Sequence, residues 1–364
     1  MTSTERVAVL GTGLIGTSIA MAALGAGSEV RGYDADPGVR EAAALRGGFE
    51  PAEELEGCVR DASLVFVCTP IPTIPELATR ALTAAPGAVV SDVGSVKTHV
   101  VAEVQAGAPA STVDRFVGGH PMGGSERSGP DGAAPSLLDG IAWVLTPTDR
   151  TAAHASDKLA SWVSGLGAQA ILMEPERHDR LVAMVSHLPQ VASTALMGLA
   201  AHEEAGEPEI LLLAAGGFRD LTRLAASSPA LWSDILLANR EALARAIDLY
   251  RDRLAELRDL VSSERASDLE EAFAEAKAAR LNLTAKPQVK AGVAVLQVPV
   301  PDRPGVLAEL TATLGSAGVN IEDLQIVHSP EGGRGTVHLT IASESAGAAT
   351  RSLSARDFDP IRLA

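Results

Sequence analysis

The sequence predicts a three-part α/β chain: an N-terminal doubly wound parallel sheet, a central all-α segment and a small C-terminal α+β module. Three observations predict it. Short apolar strands alternate with helical stretches through the first half of the chain. From Pro175 onward the apolar residues recur at helical spacing. After a linker-like stretch at residues 281–291, strands return in a β-α-β-β-α order. The expected segments are 1–174, 175–285 and 292–364, and a chain of 364 residues is long enough for two or three domains.

Val-Ala-Val-Leu at 7–10 reads as a buried strand, followed by a glycine-rich turn and a helix near 14–26. A second strand runs over 29–33 to Asp34, and a helix covers 37–46. The run LVFVC at 64–68 is apolar throughout, as expected for a strand covered on both faces. Further strands are predicted at 88–91, 116–119 and 142–146, with helix 151–165 and strand 168–173 closing the domain. Helical periodicity covers 175–205, 209–225 and 264–280. Residues 229–262 read as one long amphipathic helix starting at Ser228-Pro229, with Leu231, Ile235, Leu243, Ile247, Tyr250 and Leu254 near one side. Such a stripe needs cover, from its own domain or from interlocked helices of a second copy, and a dimer is the favoured reading. In the last module, strand 294–300 leads through the turn Asp302–Gly305 into helix 305–317. Strand 321–328, a hairpin at 331–335, strand 336–342 and helix 344–353 come next, leaving little chain for a final strand.

Composition narrows the function. The net charge of −16 and the 3% aromatic content argue against nucleic acid, which calls for clustered cations or stacking rings. The residues from Gly13 to Gly27 could pass for a signal peptide, but Gly11, Gly13 and Gly16 break them into strand, turn and helix. No uninterrupted apolar run is long enough to span a bilayer, so no membrane partner is expected. Cys58 and Cys68 have neither CxxC nor zinc-like spacing, which predicts reduced thiols, a cytoplasmic location and no metal.

Gly11-Thr12-Gly13-Leu14-Ile15-Gly16 is a GxGxxG string between a predicted strand and a predicted helix, and Asp34 ends the next strand. In that context it is a dinucleotide fingerprint, and the first domain is of the Rossmann type. Gly11 permits the tight turn, Gly13 lets backbone approach a pyrophosphate, and Gly16 lets helix and strand pack closely. Leu14 and Ile15 open the helix whose free N–H groups face the phosphates. Asp34 is placed to accept the ribose hydroxyls and would repel a 2′-phosphate, so NAD is expected over NADP. Thr69, Pro70 and Gly94, past the ends of two other strands, are candidates for the nicotinamide side.

His120, in Gly118-Gly119-His120-Pro121, ends a central strand among glycines that would let backbone and substrate approach. It is either a base for a substrate hydroxyl or a histidine satisfied by loop carbonyls. His187 lies in the helical segment, where a buried hydrogen-bonded role is the more common one. Arg219 and Arg223 stand four apart, as a carboxylate clamp or as surface partners of Asp220.

The strings SDVGSVK (91–97), GGHPMGGSE (118–126), ERHDRLVAMVSHLP (176–189) and GGFRDLTRLAASSPALW (216–232) resemble, in order and spacing, the signature segments of the prephenate/arogenate dehydrogenases of tyrosine biosynthesis. The resemblance covers roughly residues 5–285. It implies oxidative decarboxylation of a cyclohexadienol with NAD, prephenate giving 4-hydroxyphenylpyruvate or arogenate giving tyrosine. It assigns His120 to polarising the ring hydroxyl, Ser95 to assisting it, and Arg223 to a substrate carboxylate. Glu126 and His187 match further substrate positions, and Gln190 stands where prephenate-specific relatives often carry a second histidine. Residues 292–364 resemble an ACT domain through VPVPDRPGVLAEL and AGVNIEDLQI. That resemblance places an effector, tyrosine being the natural one, near Asp302, Gly305 and Asn320. There are two rivals: another dehydrogenase or imine reductase of the same plan, and a non-catalytic sensor of NAD and an amino acid. The GGHP and SHLP strings argue against the first. A sensor has no use for His120, Ser95 and Arg223 together.

Overall fold

The computed structural model describes residues 5–123, 129–204, 206–207, 209–284, 293–301, 303–328 and 334–363. In chain order the first half contains β1 (Arg6–Leu10), α1 (Leu14–Gly25), β2 (Glu29–Tyr33), α2 (Pro37–Gly47), β3 (Glu50–Pro51), α3 (Leu55–Val59), β4 (Leu64–Val67) and α4 (Ile74–Ala84). Next come β5 (Val89–Asp92), α5 (Thr98–Gly107), β6 (Phe116–Pro121), β7 (Ala142–Thr146), α6 (Ala153–Gly165) and β8 (Gln169–Leu172).

The eight strands form one sheet in the order β3-β2-β1-β4-β5-β6-β7-β8. Strand alternation sends Val7, Val9, Leu64 and Phe66 to one face with α1 and α6, and Ala8, Leu10, Val65 and Val67 to the other with α4 and α5. The expected parallel sheet needs one correction. β7 pairs antiparallel with β6, because the segment joining them returns without a crossover helix. β3 and α3 were not expected: one is two residues long, the other five, below the length at which periodicity registers.

The helical segment contains α7 (Pro175–Val182), a π-helical turn (Ala183–His187), α8 (Leu188–Glu203), α9 (Glu209–Leu212), α10 (Gly216–Thr222) and a 3-10 turn (Arg223–Ala226). After these come α11 (Pro229–Ala238), α12 (Arg240–Ser262) and α13 (Ala266–Thr284). The helix expected over 229–262 is thus two helices. Asn239 breaks it, because its buried side chain is drawn into hydrogen bonds with α7 and the π turn. By length and composition the helix Pro175–Glu203 is apolar enough to cross a membrane, although charged and polar residues interrupt its apolar run. Its first two thirds bury polar side chains, His178, Asp179, His187, Gln190 and Ser193, among protein partners. Several helices expose leucines and aromatics: Leu212 is 81% exposed, Leu254 49% and Phe273 67%, more apolar surface than isolated helices of a lone chain usually show.

The last module contains β9 (Val293–Pro301), α14 (Val306–Ser316), β10 (Ile321–His328), β11 (Arg334–Ala342), α15 (Ala346–Ser354) and β12 (Ile361–Leu363), in one antiparallel sheet ordered β10-β11-β9-β12. The final strand is present, three residues long and paired with β9. The chain divides into two compact units, one of residues up to Ala195 with Leu224–Leu249, the other of Leu196–Arg223 with Tyr250–Ala364.

Candidate functional site

At the carboxyl edge of β1 the glycine string does what its spacing implies. Gly11 has φ +91° and donates its N–H to Tyr33 O at 2.8 Å, and a Cβ there would lie 2.7 Å from the Cys68 carbonyl oxygen. A Cβ on Gly16 would fall onto the Gly11 carbonyl, whereas around Gly13 nothing lies within 4 Å. α1 starts at Leu14 without a side-chain cap, leaving N–H groups open to an anion. Asp34 accepts the Thr12 N–H at 2.8 Å and the Asp36 N–H at 3.0 Å, so its carboxylate is fixed beside the loop with acceptor positions to spare. Arg31 turns away to Glu50 at 3.0 Å, and Arg40 bonds the Asp34 carbonyl at 3.1 Å. The space at Gly13, the uncapped helix and the held carboxylate fit a dinucleotide.

Past β4, the Thr69 hydroxyl accepts from Thr73 at 2.9 Å, and Pro70 is exposed. Past β5, Asp92 is fully buried and organises the neighbouring loop. It accepts N–H bonds from Gly94 at 2.8 Å and Gly119 at 3.1 Å, and its other partner is the ammonium of fully buried Lys97. That ammonium also donates to the Gly119 carbonyl at 2.7 Å, tying the β5–α5 loop to β6 one residue before His120. Burial pushes the Lys97 ammonium down from its ordinary basicity, and Asp92 and Asp179 pull it back. The glycines before His120 were expected to admit substrate. Their local role is packing: a Cβ on Gly119 would meet the Asp92 carbonyl and Ser91, and one on Gly118 would strike Thr146.

Among the described residues, His120 bonds no loop carbonyl. Its Nδ1 lies 2.8 Å from Nε2 of His178, with the rings 5.0 Å apart and edge-on. His178 Nδ1 lies 2.8 Å from Asp179 Oδ1. The Asp179 carboxylate also caps α5, accepting the N–H groups of Lys97 and Thr98 at 2.8 Å each. Burial lowers the basicity of His120 most, followed by its neighbours His178, Lys97 and His187, so it stays neutral well below the ordinary histidine range. His187 is bridged by Asn239, whose amide reaches its Nδ1 at 3.1 Å and the Asp179 carbonyl at 2.9 Å, and Trp232 stands edge-on at 6.1 Å. Burial holds His187 at about 4. Gln190, also buried, donates to Leu224 O at 2.9 Å, and its Oε1 has no hydrogen-bond partner among the described residues. Ser95 is half-buried at the start of the same loop.

Three family descriptions match the chain: "Prephenate dehydrogenase, nucleotide-binding domain" over 19–172, "Prephenate dehydrogenase, dimerization domain" over 174–275, and "ACT domain" over 294–355. A prephenate dehydrogenase of Bacillus subtilis is 33% identical over 93% of this chain and 93% of its own. The chain belongs to the prephenate dehydrogenase family. Among solved structures, prephenate dehydrogenase from A. aeolicus in complex with hydroxyphenyl propionate and NAD+ superposes with TM-score 0.72 at 30% identity, covering 77% of this chain and 99% of that one. Synechocystis arogenate dehydrogenase gives TM-score 0.68 at 32% identity, covering 76% and 98%.

Within this family frame, the glycine loop, Asp34, Gly94, Ser95, His120, His187 and Gln190 all belong to the first compact unit. Arg223 is an exposed residue of the second unit, at the point where α10 gives way to a 3-10 turn. Glu126 and Asp302 lie outside the described residues. Gly305, at φ +87°, caps α14 beside a cavity of about 360 Å³ lined by Val300, Arg303, Pro304, Leu307 and Ile326. Asn320 does not line it, and its amide is engaged by Glu322 at 2.5 Å. A cavity of similar size lies at the opposite, amino edge of the large sheet, where Arg6–Glu29 and Arg31–Glu50 neutralise one another. Both cysteines are free, and burial pushes the Cys58 thiol up to about 12 and that of Cys68 higher still. Sequence reasoning missed Asp92, Lys97, His178, Asp179 and Asn239. All but Asn239 lie inside the signature strings SDVGSVK and ERHDRLVAMVSHLP, where the pairing HD was the available signal.

Proposed function

We propose that this chain is an NAD-dependent prephenate dehydrogenase that converts prephenate to 4-hydroxyphenylpyruvate by oxidative decarboxylation. Its parts would be a nucleotide-binding domain at 1–174, a helical substrate and dimerisation domain at 175–285 and an ACT-like regulatory domain at 292–364. One observation carries the reading: a half-buried, neutral histidine stands near the end of a strand of the same sheet whose first loop is an open dinucleotide cradle. Bound NAD supplies the hydride acceptor. Gly11, Gly13, Leu14, Ile15 and Gly16 present backbone N–H groups to its phosphates, and Asp34 takes the ribose hydroxyls. Thr69, Pro70 and Gly94 line the nicotinamide side.

In this reading His120 accepts the proton of the ring hydroxyl while hydride leaves the carbon that bears it, and Ser95 orients that hydroxyl. Arg223 holds a substrate carboxylate, with Glu126, His187 and Gln190 at the side chain. Aromatisation makes loss of carbon dioxide downhill, so the residues have mainly to position the ring and take one proton. The exposed leucines of α9–α13 support a homodimer, and the two free thiols support a cytoplasmic location. The cavity beside Gly305 supports an effector such as tyrosine, for which Asp302 and Asn320 are the other candidate contacts.

One observation favours the arogenate reading. The buried, unpartnered Oε1 of Gln190 is an acceptor suited to the ammonium of an amino-acid side chain and of no use to a pyruvyl carbonyl. The test is direct: purified protein with NAD and prephenate, and separately with arogenate, followed at 340 nm. Formation of NADH with prephenate supports the proposal, NADH with arogenate alone replaces it, and none with either refutes both.

A further inference from the structure

We propose that His178 and Asp179 form a two-residue relay that sets which nitrogen of His120 is the base and carries its proton away. The proposal deepens the functional reading above and rests on it for the identity of the proton donor. Asp179 sets the direction of every hydrogen bond in the chain of three. Its carboxylate, engaged by the N–H groups of Lys97 and Thr98, is 3% exposed. Burial alone would raise its pKa, yet the hydrogen bonds from His178, Lys97 and Thr98 hold it below the ordinary aspartate value. An ionised carboxylate only accepts, so Nδ1 of His178 carries its hydrogen toward Asp179. In the neutral ring Nε2 of His178 is then a bare acceptor, and the 2.8 Å contact requires Nδ1 of His120 to donate. That leaves Nε2 of His120 without a hydrogen, as the one ring atom able to take a proton.

The transfer balances in two hops. The ring hydroxyl proton forms a bond to Nε2 of His120 as its O–H bond breaks. The hydrogen on Nδ1 of His120 then passes to Nε2 of His178. His120 ends neutral with its hydrogen on the other nitrogen, and the single positive charge rests on His178 against the Asp179 carboxylate. Among the described residues, the Lys97 ammonium from the β5–α5 loop also opposes a charge staying on His120, with Asp92 committed to Lys97, while His187 from the π turn is neutral and would oppose it only if protonated. On its other side Asp179 lines a cavity of about 350 Å³ with Thr98, His99, Arg180, Asn239 and Arg240, where Glu176, Glu241 and Arg245 add mixed charge. His178 is thus a positioning residue, since it acts on the substrate only through His120.

The test begins without substrate. In wild-type protein carrying 15N-labelled histidine, ring nitrogen shifts at pH 7.5 are expected to show His120 with hydrogen on Nδ1 and none on Nε2. A His120 hydrogen on Nε2 overturns the relay whatever the enzyme does. In turnover assays, His178→Phe is expected to lower kcat about 10²-fold with KM for NAD changed less than about threefold, the size of effect a positioned base supplies. His178→Gln, whose amide oxygen can accept from Nδ1 of His120, recovers part of that loss. Equal kcat in wild type and His178→Phe, or no recovery with Gln, overturns it too. Should neither prephenate nor arogenate be oxidised, the function fails, while the ring shifts still decide the relay.

Discussion

Replacing Lys97 by Met removes one ammonium and little volume. The consequence is set by the burial of its partner. Asp92 is fully buried, and with Lys97 gone its carboxylate keeps only the Gly94 and Gly119 N–H groups and no counter-charge. Breaking a buried pair in this way costs about 3–5 kcal/mol. For a domain of this size each kcal/mol moves the melting temperature by about 2–4 °C, so a drop of roughly 6–20 °C is expected. The double variant Asp92→Asn/Lys97→Met removes the stranded charge, and the side-chain oxygen of Asn still accepts one of the two N–H bonds, so it is expected to regain at least half of the loss. Calorimetric melts of the three proteins, with urea unfolding as a cross-check, provide the assay. A loss below about 1 kcal/mol in the single variant, or a double variant no better than the single, would refute the view that this pair is held as buried charges.

Acid should destabilise the fold in a defined window. His120 and His187 are held neutral in the fold by burial, His187 at about 4, while an unfolded histidine titrates near 6.5. The unfolded chain therefore binds these protons first, so their stability contribution is complete above about pH 6.5 and is lost as pH falls toward 4. His187 alone accounts for at most about 3 kcal/mol, and Asp179, held low, adds a further loss below about pH 4, measurable by urea unfolding across pH. Asp34→Ala removes the acceptor of the Thr12 and Asp36 N–H groups and of the proposed ribose contact, and kcat/KM for NAD should fall about 10–100-fold. An unchanged value would remove Asp34 from the cofactor site. Gln190→Leu removes the unpartnered acceptor, and kcat/KM for arogenate should fall about tenfold relative to prephenate. Equal ratios in the two proteins would exclude the ammonium contact. Ile247→Asp with Leu254→Asp places charge on the exposed apolar face of α12 and should give monomer by light scattering if that face is an interface.

Much of the first unit was legible because its signals are local. A strand, a glycine turn and a helix within twenty residues specify a backbone path that little else permits, and Asp34 is placed by where the next strand must end. The positions of His120 and Gly94 at the carboxyl edge came from the same alternation of strands and helices. Helix limits near Asn239 and across the π turn were not legible, since periodicity continues through both breaks. At Asn239 the side chain is engaged by residues about fifty to sixty positions away.

By itself, then, the amino-acid order determined the nucleotide cradle, the three-part plan and the histidine at the strand end, because each rests on spacing within a short window. The tertiary structure alone decided what that histidine touches. His178 and Asp179 come to His120 from 58 residues away, and the carboxylate that anchors them caps a helix 81 residues earlier in the chain. Lys97 reads in the sequence as an ordinary cation and becomes, once buried against Asp92, the tie that holds β6 to the β5–α5 loop. Burial and long-range partners set the chemistry of a side chain, and neither is written in its neighbours along the chain.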